Sequence, residues 1–519
     1  MPNELPGWGE KQPMRSKYVI KNSLWGILSQ ILSIILGFVG RTVFIRILNA
    51  EYLGISGLFS NVLSFLSLSE LGFSSAVAFH LYGLIASGDN EKIAGVMNYY
   101  KRVYRVIASI ILSIGLLLVP FLQYLIKEST FEISYIRLVY VIYLLNTVTS
   151  YLFSYRYTLA TADQKNYILV QVDSIFKILG CIANIIVLVI LKNFIVYLIA
   201  QMAVGIVGNY VKAQRVTKKY LVLKEKNEIS EEEKKKITSD VKNIFAGKVS
   251  TVIVTSTDNI LISVMINLTA VGLYSNYAMI IGYIQSFLSQ FTTATQASIG
   301  NLIASESKEY AYSVLNKLTQ IIFFAVSFCA TSLFVLLNPF IELWVGNQYL
   351  LDMNVVFWCV LSFYIQIIKA PLWYTLGGAG LFKDDRNISI IGAVSNLVIS
   401  VVCAYIWGFA GIFMGTVFSQ LIQWVLKAIL LGRKYLFMKC TGYVLLFFES
   451  TGMLLVFFAA TYYLSSLIVL ESELLSFLIK CMLCVIVPNA INFFVFRKSE
   501  GMQYMKSLIG RITKTITRR

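Results

Sequence analysis

Arg41, Glu70, Asp173, Lys177, Lys248, Asp258, Lys369 and Glu449 are ionisable residues set inside long apolar stretches of this sequence. If such stretches cross a membrane, each charge costs about 2.5–3.5 kcal/mol on insertion scales, so each is expected to face a wet interior or a partner. The cations can hold an anionic group. Arginine suits phosphate best, because its planar fork matches two oxygens at once, while a lysine acts as a point charge. The acids can bind a coupling proton or sodium ion, or neutralise a lysine. The candidates for substrate binding are therefore Arg41, Lys177, Lys248 and Lys369, and those for ion coupling or charge pairing are Glu70, Asp173 and Asp258. Asp173 and Lys177 are spaced i,i+4 and can pair along one helix face. Lys369 precedes Pro371 by two residues, so a kink beside a lysine is expected there, which suits a gate, although snorkelling to an interface accounts for the same lysine.

Enzymatic chemistry finds less support. The single histidine, His80, is expected at an interface. Cys481 and Cys484 form a CxxC on an apolar helix with no histidine nearby, which reads as packing. No GxxxxGK[ST] pattern is present, so direct ATP use is unsupported. No catalytic residue, metal or cofactor is expected.

The elements that must position these charges are membrane helices. Hydrophobic residues make up 57% of 519 and charged residues 14%, against about 25% charged in soluble proteins. The net charge of +17 lies in loops and tails rather than in one patch, which argues for membrane orientation and against nucleic acid. About fourteen apolar spans lie between residues 20 and 496. Lysine and arginine concentrate in every second loop, so both termini are expected in the cytoplasm. The connector 217–241 is polar, and Ser230 with Glu233 forms a capping box there.

The chain also repeats. Leu84-Ile85-Ala86-Ser87 recurs as Leu302-Ile303-Ala304-Ser305, and the same shift carries Asn49 to Asn267, Gly54 to Gly272, Glu91 to Glu309 and Asn98 to Asn316. Six spans per copy is an even number, so the copies are parallel, an architecture of transporters. The expected fold is an all-α polytopic membrane protein: an N-tail (1–19), an N-lobe (20–216), a linker (217–241), a C-lobe (242–431), two extra helices (432–496) and a basic amphipathic tail (497–519). Short outer loops leave no room for the external domain of a membrane glycosyltransferase. The residues alone leave open an ion-coupled drug exporter.

Gly37-Phe38-Val39-Gly40-Arg41, Leu53-Gly54-Ile55-Ser56-Gly57-Leu58-Phe59, Leu66-Ser67-Leu68-Ser69-Glu70-Leu71-Gly72-Phe73 and Ala162-Asp163-Gln164-Lys165-Asn166-Tyr167 together resemble bacterial Wzx-type polysaccharide flippases. These belong to the multidrug/oligosaccharidyl-lipid/polysaccharide (MOP) exporter superfamily, with the multidrug and toxin extrusion (MATE) antiporters and the lipid II flippases. The resemblance implies a bacterial inner-membrane protein that moves polyprenyl-diphosphate-linked oligosaccharide outward for capsule, O-antigen or teichoic-type polymers, working beside a polymerase or other assembly machinery. In the lipid II branch a Gly-Phe-Val-Arg-Asp-like motif supplies a cavity arginine. Here Gly40 is inserted before Arg41 and Thr42 stands in the acid's place, and one residue turns a side chain by about 100°. The two extra helices are implied to accommodate the polyprenyl tail.

Overall fold

The computed structural model describes residues 12–67, 73–468 and 470–507, and these are helical throughout apart from turns and short connections. Glu70 and most of the C-terminal amphipathic stripe lie outside the described residues, as does the side chain of Lys248.

Packing divides the chain into two units, Met1–Thr269 and Ala270–Arg519. The first holds α1 (Gln12–Ile47), α2 (Ala50–Leu66), α3 (Phe73–Ser87), α4 (Asn90–Leu118), α5 (Ile133–Ser154), the short α6 (Tyr157–Ala162), α7 (Tyr167–Leu191), α8 (Phe194–Lys219) and α9 (Glu231–Met265). Helices α1, α7 and α8 pack side by side, α5 lies on α8, and α9 lies on α2 and α3. Several starts follow from capping chemistry. Asn49 accepts from the Glu51 and Tyr52 amides at α2, Asn193 from Ile195 and Val196 at α8, and Ser230 and Glu233 complete their capping box at α9.

The second unit holds α10 (Leu268–Ser305), α11 (Lys308–Val345), α12 (Met353–Ile368), α13 (Ala370–Gly378), α14 (Phe382–Leu431), α15 (Thr441–Ser466) and α16 (Glu473–Phe496). Helix α11 is its hub, packed by α12, α15 and α16. Helix α14 is two helices. It reverses at Gly408, whose φ of 58° and ψ of −132° are left-handed and suited to glycine. Contacts then join the two arms: Asn396 Nδ2 donates to Thr416 Oγ1 at 3.1 Å, and Ser400 Oγ to the Ile412 carbonyl at 3.0 Å. The arms touch through small residues. A Cβ on Gly411 would lie 2.0 Å from the Cys403 carbonyl oxygen, and one on Gly415 2.3 Å from Ser400 Cα, so the Gly411/Gly415 pair is a packing device.

Among the described residues ten helices are long and apolar enough to cross a membrane. Counting both arms of α14, and adding the broken α2 and α3 as one crossing with α9 and α10, the helices match the roughly fourteen spans read from hydropathy. This is a multi-pass membrane protein.

Candidate functional site

In the second unit the charges gather where a helix breaks. Pro371 has no amide proton, so the carbonyl four residues earlier loses its donor; α12 stops at Ile368 and α13 restarts at Ala370. Lys369 sits in the break. Its Nζ lies 3.4 Å from Gln420 Oε1 and 5.2 Å from the Trp373 ring centroid. A second lysine, Lys427 on the returning arm of α14, is only 1% exposed and lies 4.1 Å from the centroid of the same ring. Lys427 also reaches the other arm, with Asp385 Oδ1 at 2.5 Å and Ser389 Oγ at 3.1 Å. One indole thus meets two ammonium groups, an arrangement in which the ring quadrupole takes up part of the lost hydration. Among the described residues no carboxylate lies within ion-pair distance of Lys369.

In the first unit a polar ladder runs along α1, α7 and α8. Arg215 donates to Gln171 Oε1 at 3.2 Å, Lys212 pairs with Asp173 at 2.6 Å, and Lys177 Nζ donates to Ser33 Oγ at 2.8 Å. The expected Asp173–Lys177 pair is therefore replaced. Helix α8 runs antiparallel to α7 and brings Lys212 across, its ammonium also 4.3 Å from the Tyr157 ring centroid, which frees Lys177 for α1. Further along α1, Arg41 is half-buried. A side chain at Gly40 would meet Cys181 Sγ on α7 at 3.8 Å. The inserted glycine thus occupies the close α1/α7 seam.

Asp258 is half-buried on α9 and Glu449 exposed on α15. His80 is paired, with Nε2 3.0 Å from Asp240 Oδ2. The 162–167 motif proves to be a junction. Asn22 Nδ2 donates to the Gln164 carbonyl and the Tyr167 amide to Asn22 Oδ1, both at 2.8 Å, while Asp163 takes Lys165 and, at 2.7 Å, the Tyr220 hydroxyl. Burial and Asp163 push the Tyr220 hydroxyl well above its ordinary value, so it remains a donor. Sequence reasoning missed Lys427 and Lys212. Both lie within a few residues of a helix end, where a lysine ordinarily snorkels out.

Among the described residues no group of three metal-ligating side chains occurs. The chain's architecture has known counterparts. The lipid II flippase MurJ in an inward closed conformation superposes with a TM-score of 0.68 at 16% identity, over 92% of this chain and 99% of that one. An inward-facing multidrug resistance MATE family transporter of the MOP superfamily gives 0.60 at 15% identity, over 78% and 94%. The Vibrio cholerae MATE transporter VcmN gives 0.54 at 12%, over 82% and 99%. These show a shared fold of two six-helix repeats, here with two additional helices. No curated protein matches the chain in sequence. Residues 19–299, more than half the chain, match the polysaccharide biosynthesis protein family. By that match the chain belongs to the polysaccharide biosynthesis protein family, on a fold shared with the lipid II flippase and MATE transporter structures.

Proposed function

We propose that this protein flips polyprenyl-diphosphate-linked oligosaccharide repeat units across the bacterial cytoplasmic membrane by alternating access, supplying the assembly of a cell-surface polysaccharide. The observation that carries this reading is Lys369 at the α12/α13 break, with no carboxylate in ion-pair reach among the described residues and beside the buried Lys427, in a chain of the polysaccharide biosynthesis family. A diphosphate and its sugars cannot cross hydrocarbon unshielded. An interior with surplus positive charge offers the diphosphate what the bilayer denies it, and the isoprenoid tail can stay in lipid throughout.

In this reading the candidate headgroup ligands are Arg41, Lys177 and Lys248 in the first unit and Lys369 with Lys427 in the second. Asp385 keeps Lys427 from binding too tightly, while Asp258 and Glu70 are the candidate ion-coupling acids. Helices α15 and α16 accommodate the tail. Both termini lie in the cytoplasm, on the side of the Lys-rich loops. A break next to a charged residue lets α13 tilt on α12 as access alternates.

The test is reconstitution with a fluorescent polyprenyl-diphosphate oligosaccharide and a leaflet-accessibility assay under imposed ion gradients. Transfer above that of protein-free vesicles is expected, reduced at least tenfold by Lys369→Met. Absence of transfer for several glycans, together with export of a cationic dye, would replace this reading with drug export.

A further inference from the structure

A cavity of ≈ 780 Å³ opens where the returning arm of α14 meets α15. Its walls are Val425 and Ile429 on α14 and Val444 and Leu445 on α15, and its mouth carries Arg433 and Lys439. The turn that shapes it is irregular. Residues Gly432–Leu436 form a π-helical turn, and Phe437 follows in the left-handed region with φ 55° and ψ 33°. Such widened turns cluster at binding sites, because they open a helix without ending its packing.

The charges at the mouth are available. Among the described residues neither Arg433 nor Lys439 has a carboxylate within ion-pair distance, whereas the adjacent Lys434 holds Asp384 at 2.8 Å. A third cation, Lys308 Nζ, lies 4.0 Å from the Phe437 ring centroid. The apolar wall faces outward: Leu445 is 60% exposed and Phe437 72%. On a membrane helix that surface is covered by acyl chains, and the mouth lies at the helix ends, at headgroup level. An apolar slot open to hydrocarbon with two free cations at its polar end matches one amphiphile in charge and length.

We propose that this pocket binds an anionic phospholipid of the surrounding bilayer, its phosphate between Arg433 and Lys439 and one acyl chain along Val425, Ile429, Val444 and Leu445. Basic pockets between membrane helices bind anionic headgroups in this way. The site depends only on the chain being a membrane protein and not on what it transports.

Native mass spectrometry of the full chain in detergent, titrated with phosphatidylglycerol or phosphatidylcholine, tests it. Phosphatidylglycerol is expected to bind about tenfold tighter than phosphatidylcholine. Two surface cations at a lipid headgroup contribute about a thirtyfold affinity, so R433Q/K439Q should lose about that much, while K434Q stays within about twofold of the unmodified chain. Val444→Trp, which fills the wall, should weaken both lipids. Equal loss in K434Q would mean diffuse surface attraction and overturn the proposal. So would unchanged binding in R433Q/K439Q, displacement of the lipid by soluble glycerol phosphate, or preference for a polyprenyl diphosphate over phosphatidylglycerol. Thermal unfolding of each variant confirms that the fold is retained.

Discussion

Lys427 and Asp385 lie on opposite arms of the α14 hairpin and form a 2.5 Å ion pair, with the lysine side chain 1% and the aspartate 30% exposed. The two partners are therefore unequal, and their removal should not cost the same. Asp385→Asn strands a buried ammonium and is expected to destabilise by about 3 kcal/mol. Lys427→Met removes the buried charge and leaves a carboxylate that reaches solvent, at about 1 kcal/mol. The double variant should recover most of the loss. Unfolding by SDS titration, read as a double-mutant cycle, measures all three.

Lys369 predicts the opposite balance between stability and activity. Its ammonium meets Gln420 and Trp373, with no carboxylate in ion-pair reach among the described residues. Lys369→Met should leave the unfolding midpoint unchanged or raised while lowering flipping at least tenfold. Equal losses of fold and transport would assign Lys369 a structural role.

The hairpin turn predicts its own sensitivity. Gly408→Ala places a Cβ on a left-handed backbone with ψ −132° and should cost about 2 kcal/mol. Gly411→Val meets the Cys403 carbonyl oxygen, already 2.0 Å from where a Cβ would stand, and should cost at least as much through separation of the arms. The unfolding assay distinguishes them when the two changes are combined, since neighbouring strain is not additive.

The linker carries a pH prediction. Arg102 hydrogen-bonds Glu228 and, with Lys234, holds its carboxyl below the ordinary value, and Asn98 Nδ2 donates to the Glu225 carbonyl at 2.8 Å and the Asn227 carbonyl at 3.1 Å. A lowered carboxylate value means that the tie is fully present above the unfolded value and is lost as pH falls through the folded one. Limited proteolysis of residues 220–230 should therefore be flat from about pH 8 to 5 and rise below about pH 4. Glu228→Gln should show raised cleavage across the whole range.

Much of this architecture was readable before any coordinates, because hydrocarbon imposes a strict length and composition on whatever crosses it. Lys369 beside Pro371 already marked the broken helix. Partners were less legible. Asp173 had a lysine four residues on, but its ion pair came from Lys212, brought over by an antiparallel neighbour. Spacing along one helix states what can meet, while the second helix decides what does. Lys427 escaped notice for a related reason: four residues from the end of α14 it reads as a side chain that escapes to water, and only Asp385, Ser389 and Trp373 together show why it stays.

The reversal at Gly408 also bears on how the protein is made. With a single residue between the arms there is no stretch of chain that could wait in water while one helix enters the bilayer ahead of the other. The two arms are therefore expected to enter the lipid together, with Asp385 and Lys427 neutralising each other across the hairpin.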